Sequence, residues 1–238
     1  MSEALAAAAA ARPQGPPRQP GQRAVRPKNA ATMILIRRDG AEPRVLMGRR
    51  NSRHDFMPGL WVFPGGRVDR ADHRVPAASD LRPEVQAVFD AHLRPGLGRA
   101  LALAAVRETW EEAGLLMARP APGWPAAGPW REFLGQGALP DIAALDIVAR
   151  AITPPSIAKR FDTWFLMAEA DRLMSLERQA DCGELDEIVW TGFDEALHLK
   201  LPNVTRFVLG EARARLGDHD RPRPYLKHGA SALRRAFL

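Results

Sequence analysis

Three glutamates crowd the stretch "RETWEEAGL" (residues 107–115): Glu108, Glu111 and Glu112. On a helix turning about 100° per residue they share one arc of roughly 100°. Like charges at such spacing cost an isolated helix only about 0.2–0.5 kcal/mol, so a solvated surface could carry them. The alternative is a site that needs the charge. Three hard carboxylate oxygens held on one rigid face form the donor set that Mg²⁺ or Mn²⁺ takes. Leu103, Val106, Trp110 and Ala113 fall on the opposite face and predict an apolar stripe packed on a sheet. Gly114 is the expected stop, because glycine enters the left-handed conformation without a Cβ penalty.

Helices and strands must hold that face in place, and the chain supplies them. "ATMILIRR" (31–38), "PRVLMGRR" (43–50) and "GLWVF" (59–63) read as strands, the last running straight into "PGG" (64–66). A short helix is expected around "SDLRPEVQAVFDAHL", capped by Ser79 or Asp80, followed by the glutamate helix "GRALALAAVRETWEEAG". After a Pro/Gly/Trp loop and a helical turn near "WREFLG" come strands at 145–153, 160–170 and 185–193. "DEALHL" and "NVTRFVLGEARARL" read as closing helices. Strands and helices do not alternate regularly, so a mixed sheet with helices on its faces is expected.

The 238 residues, 46% of them hydrophobic, suffice for one substantial core. Residues 1–28, an Ala run dissolving into Pro, Gly, Gln and Arg, read as a disordered tail rather than a signal peptide. A domain is expected over 29–238. The single cysteine, Cys182, forms no internal disulfide and points to a reducing cytoplasm. No stretch reaches the roughly 18 apolar residues of a membrane span. The net charge of +6 is spread as scattered arginines, without a basic block interleaved with aromatics, so it speaks for a phosphorylated small molecule rather than nucleic acid. None of the six histidines stands at metal-ligand spacing, and no G-x-S-x-G elbow is present.

The stretch "R-E-T-W-E-E-A-G-L" resembles the second half of the Nudix box, R-E-U-x-E-E-x-G-U, with Thr109 in place of an aliphatic residue. "F-P-G-G" (63–66) resembles the approach to the same box. The glutamate expected six residues after the second glycine is Asp72 here, a shorter carboxylate that reaches less far toward Arg107. The segment from His73 to Val106 is far longer than the usual spacing, so the box carries an insertion at about 73–100. With "ITPPSIAKRFDTWFLMAE" downstream, this split box is similar to the coenzyme A diphosphatase-type Nudix subfamily.

The resemblance implies an α/β/α sandwich with a mixed sheet and a helical insertion. It also implies metal-dependent hydrolysis of a nucleoside diphosphate linked to another group, coenzyme A or an acyl-coenzyme A. Glu108, Glu111 and Arg107 would be catalytic, with Arg107 orienting a glutamate or the box loop. Glu108, Glu111, Glu112 and, ahead of Trp190, Glu184 would hold Mg²⁺ or Mn²⁺; Asp186 and Glu187 could stand in for Glu184. Gly65 and Gly66 would bring the backbone close to the phosphates, and Arg49, Arg50 and Arg160 would contact them. Arg53 and Lys159 belong to the same basic stretches. Trp61, Trp164 and Phe165 are either base-stacking groups or core, and the "APGWPAAGPW" loop with the insertion is expected to wall a channel for the pantetheine arm. The alternatives are a Nudix hydrolase of dinucleotides or nucleotide sugars, and a non-catalytic binding or regulatory protein of the same fold. A homodimer is left open.

Overall fold

The apolar run Met33–Ile36 makes sense only in a strand buried on both faces, where continuous hydrophobicity replaces alternation. A computed structural model, which describes residues 15–51, 58–125, 127–179, 185–228 and 233–238, places it in the middle of a nine-stranded sheet. Strand β1 (Lys28–Arg37) is followed by β2 (Arg44–Arg50), β3 (Trp61–Val62) and β4 (Gly65–Arg67). After the helices come β5 (Ala118–Pro120), β6 (Ala138–Pro140), β7 (Asp146–Ile152), β8 (Phe161–Glu169), β9 (Leu185–Gly192), β10 (Pro224–His228) and β11 (Leu233–Phe237). The main order is β11-β10-β7-β8-β1-β2-β3, with β4 on β1 and β9 on β2; β5 and β6 form a separate two-stranded sheet. β1 runs parallel to β8 and antiparallel to β2 and β4, so the sheet is mixed.

The pleat of β1 divides the core. Met33 and Leu35 face one layer, containing helices α1 (Pro83–His92), α2 (Leu97–Ala113) and α3 (Arg131–Gly135). Ile34 and Ile36 face the other, where α4 (Phe193–His198) and α5 (Asn203–Arg215) contribute Phe193, Ala196, Phe207 and Val208. This is the α/β/α arrangement with helices on both faces of a mixed sheet. The inserted segment is part of its core: Val75, Leu81, Val85 and Phe89 are buried in the same layer as α2. Phe89 packs on Trp164 with ring centroids 4.8 Å apart. A Cβ at Gly98 would lie 2.5 Å from the Phe89 ring, so the first turn of α2 depends on glycine to seat α1.

Helix α2 departs from the expected single apolar stripe. Arg99, Glu108 and Glu111 are only partly exposed, and the rest of the helix is buried. Its alanines, Ala100, Ala102, Ala104 and Ala105, let neighbours approach on every side. Thr109, at an aliphatic position of the box, is fully buried and donates its hydroxyl to Ala105 O at 2.7 Å. That intrahelical bond satisfies the hydroxyl, leaving the methyl to pack. Gly114 ends α2 as expected, with φ 65°. A Cβ there would also stand 2.1 Å from Gln179 O.

Of the segment expected as a tail, residues 1–14 lie outside the described residues. Arg18 N donates to Ser156 O at 2.7 Å and Ala158 N to Pro16 O at 3.0 Å, setting residues 16–18 along 156–158. Three short features were not anticipated: β4, the β5–β6 pair and the β10–β11 hairpin, which extends the sheet beyond β7. Only Tyr225 and Leu226 pair with β7, at Arg150 and Ala151, and "PYLKH" has no apolar run to announce a strand. No described helix is long and apolar enough to cross a membrane.

Candidate active site

Strand β4 and the turn after it bring the box loop onto α2. Thr32 and Ala31 of β1 pair with Gly65 and Gly66, and the strand is so tightly seated that a Cβ at Gly65 would lie 2.5 Å from Ala31 O. A Cβ at Gly66 would fall 2.4 Å from the carboxyl carbon of Glu108. Glycine therefore lets the loop backbone lie directly against a glutamate of the helix. Next to it, Gly65 N donates to Glu112 Oε2 at 2.8 Å, with Glu112 buried. Glu112 thus ties loop to helix, while Glu108 and Glu111 are the partly open carboxylates, at 14% and 37% side-chain exposure.

Arg107 is the hub. Its Nη1 donates to Glu108 Oε1 at 2.8 Å and to Glu111 Oε2 at 2.7 Å. Its Nε and Nη2 form a two-pronged pair with Asp72 at 2.9 and 3.1 Å, and Nη2 also reaches Arg67 O at 2.9 Å. The short carboxylate at 72 does reach Arg107, contrary to the expectation from its length. The turn Ala71–His73 carries it inward until Asp72 is fully buried. Its remaining capacity is filled by Asp69 N on Oδ2 at 2.7 Å and by the indole Nε1 of Trp130 on Oδ1 at 2.8 Å. Burial works against the charge on Arg107, but the hydrogen bond to Asp72 and the charges of Glu108, Asp72 and Glu111 outweigh it and raise the guanidinium pKa above its ordinary value.

Three carboxylates, Asp72, Glu108 and Glu111, meet one guanidinium, a formal excess of two negative charges, and Glu112 on the loop backbone adds a further acid to the cluster. Hard oxygens with surplus charge suit a divalent cation. Among the described residues no group of three or more His, Cys, Asp or Glu is arranged to hold a metal ion; Arg107 pairs with Glu108 and Glu111, and the loop N–H of Gly65 bonds Glu112. The donor set fits Mg²⁺ or Mn²⁺ in chemistry, and a bound ion would have to share the glutamates with Arg107.

The structure brings together Gly65, Gly66, Arg107, Glu108, Glu111 and Glu112. The other expected residues are engaged elsewhere or lie outside what is described. Arg49 pairs with Glu187 at 3.3 Å and lies over the half-buried Trp61, on the strand that leads to the box loop. Arg50 has its backbone N–H on Leu60 O at 3.0 Å, at the root of the same hairpin. Arg160 donates to Thr153 O and Val25 O at 3.0 and 2.8 Å, a backbone-bracing role. Trp164 and Phe165 are core residues, 1% and 5% exposed. Glu184, Arg53, His54 and Cys182 lie outside the described residues. The loop expected to wall a channel divides its tryptophans: Trp124 is exposed, but Trp130 is buried and turned to Asp72. No sequence signal links Trp130 to a residue 58 positions away.

A family profile described as the NUDIX domain matches residues 26–208, and the chain belongs to that family. It is 30% identical over 208 residues to the acyl-coenzyme A diphosphatase NUDT19 of Gallus gallus, covering 64% of this chain and 55% of the relative. The human protein of the same name is 31% identical over 176 residues, covering 52% and 47%. The chain thus spans about half the length of these curated relatives. Among solved structures, a NUDIX hydrolase from Alicyclobacillus acidocaldarius superposes with a TM-score of 0.56 at 28% identity, covering 78% of this chain and 90% of that one.

Proposed function

We propose that this chain is a metal-dependent diphosphatase that cleaves coenzyme A or an acyl-coenzyme A at its diphosphate. The observation that carries the reading is the surplus of carboxylates around Arg107, held against a glycine loop with space for nothing larger. Glu108, Glu111 and Glu112 would hold Mg²⁺ or Mn²⁺, which when bound supplies charge neutralisation at the phosphoryl oxygens and acidifies water. Glu184 is the further acid proposed for that ion. Arg107 keeps Glu108 and Glu111 side by side, and its lock on Asp72 fixes the height of α2 against the loop. Gly65 and Gly66 let the loop backbone lie against Glu108 and Glu112, beside the place proposed for the diphosphate. Glu108 or Glu111, the partly open carboxylates, would accept the proton of an attacking water.

The choice of substrate is supported by the two relatives named acyl-coenzyme A diphosphatase and by the split box, whose residues by themselves resemble the coenzyme A diphosphatase-type subfamily. A coenzyme A substrate presents an extra phosphate. Arg49 and Arg50, on the strand beside the box loop, are the proposed contacts, with Arg49 exchanging Glu187 for the ligand. Arg160 would join them only by giving up its backbone carbonyls. The lone cysteine accords with a reducing compartment such as the cytoplasm.

Side-by-side kinetics on coenzyme A, NADH, ADP-ribose and diadenosine polyphosphates, each with Mg²⁺ and with Mn²⁺, test this. Coenzyme A or its acyl thioester is expected to give the highest kcat/KM. A value tenfold below a competitor, about 1.4 kcal/mol of discrimination, overturns the substrate. No turnover of any diphosphate overturns the enzyme reading.

A further inference from the structure

We propose that Trp130 is a positioning residue of this site, holding the Asp72 carboxylate in the orientation that lets Arg107 align Glu108 and Glu111. The proposal rests on the diphosphatase reading above, and its observation is separate. Asp72 Oδ1 accepts from both Arg107 Nε at 2.9 Å and Trp130 Nε1 at 2.8 Å, while Oδ2 accepts from Arg107 Nη2 at 3.1 Å and Asp69 N at 2.7 Å. Four donors from three parts of the chain saturate a carboxylate that has about four acceptor sites. With Asp72 wholly buried and Trp130 2% exposed, water is poorly placed to replace a missing donor.

The indole is itself fixed. Its ring meets Phe133 edge-on at 5.0 Å between centroids, and Phe133 meets Trp110 edge-on at 6.3 Å. Trp110 belongs to α2, one residue before Glu111. The turn Gly128–Trp130 and α3 therefore lean on the glutamate helix through rings and return a hydrogen bond to its ion pair. Removing that N–H frees Oδ1 on one side and allows the carboxylate to swing. Arg107 follows, because two of its nitrogens hold Asp72, and with it moves the Nη1 that Glu108 and Glu111 share. A ring that served only to fill the core would need no donor directed at a charge.

Four variants of the full chain test this: Trp130→Phe, Trp130 replaced by benzothienylalanine, Asp72→Asn, and Asp72→Asn combined with Trp130→Phe. Benzothienylalanine keeps the indole shape and exchanges N–H for sulfur, so it reports on the hydrogen bond even where Trp130→Phe folds poorly. Mn²⁺ affinity is measured without substrate, and kcat and KM are measured separately on the best diphosphate. Loss of the N–H is expected to weaken Mn²⁺ binding and lower kcat by about 10-fold, as for other residues that orient metal ligands, with KM within about twofold. The double variant is expected to be no worse than Asp72→Asn, since the indole acts through that carboxylate. Independent, multiplying effects overturn the inference. So does wild-type Mn²⁺ affinity in the benzothienyl variant, or absence of Mn²⁺ binding in the wild type. If the wild type binds Mn²⁺ and hydrolyses no diphosphate, the functional reading fails while the Mn²⁺ series still decides the role of Trp130.

Discussion

Two buried arginines in this molecule are built from the same parts and end in different states. Arg107 makes a two-pronged pair with Asp72 beside Trp130; Arg150 makes one with Asp162, at 2.8 and 2.6 Å, beside Trp164. At Arg107 the tryptophan turns its N–H to the carboxylate and leaves Nη1 to reach two further glutamates. At Arg150 the rings cover the guanidinium itself, Trp164 at 4.9 Å and Tyr225 at 4.6 Å from its Cζ. Both guanidinium pKa values are raised: burial opposes the charge at each, and the carboxylate partners overcome it. The difference is surplus charge. Arg150 and Asp162 balance one to one beneath aromatic rings, a closed structural pair. Arg107 pairs with three carboxylates, and the imbalance is what a cation can answer.

The largest effect is expected from Arg107→Met, which strands buried Asp72 without its main partner. Stability should fall by about 3–5 kcal/mol and turnover should vanish, read by denaturant titration and by single-substrate kinetics. Arg150→Met should cost a comparable share of stability, within the same range of about 3–5 kcal/mol, because Asp162 is left unpaired. Turnover per folded molecule should nevertheless match wild type. A matching loss of kcat there would mean that the two clusters are not functionally distinct.

Glu111→Gln and Glu112→Gln remove charge without bulk. Each is expected to lower kcat by at least about 100-fold, roughly 2.7 kcal/mol of barrier, with little change in melting temperature. Wild-type turnover in both would remove the glutamates from the chemistry. The smallest effect should come from Tyr225→Leu, which takes one ring off Arg150. A loss of about 0.5–2 kcal/mol of stability and no kinetic change are expected.

Much of the site was legible because helices convert spacing into geometry. Residues 107–115 placed three carboxylates near one another, and Gly65, Gly66 and Gly114 stood where the loop and the helix end required them. The central strands were legible for the same local reason, as apolar runs bounded by turns. The β10–β11 hairpin was not, since its strands are short, charged and paired by only two residues to β7. Reading α2 as amphipathic also failed: its alanines look neutral in sequence, and only the inserted α1 and the turn at Trp130 decide that nearly every side is covered.

By itself the sequence determined the chemistry on offer: which acids share a helix face, which glycines clear space beside them, and that the excess basic charge is dispersed. Tertiary structure alone decided how those groups are partnered. Asp72 is 35 positions from Arg107 and Trp130 is 58 from Asp72, and both contacts depend on where separate layers of the core come to rest. A hydrogen bond is set by ångströms between atoms, whereas sequence spacing constrains distance only within a few turns of helix or across one hairpin. That is why Asp72 reads as a departure in the sequence and as a saturated, four-donor anchor in the fold.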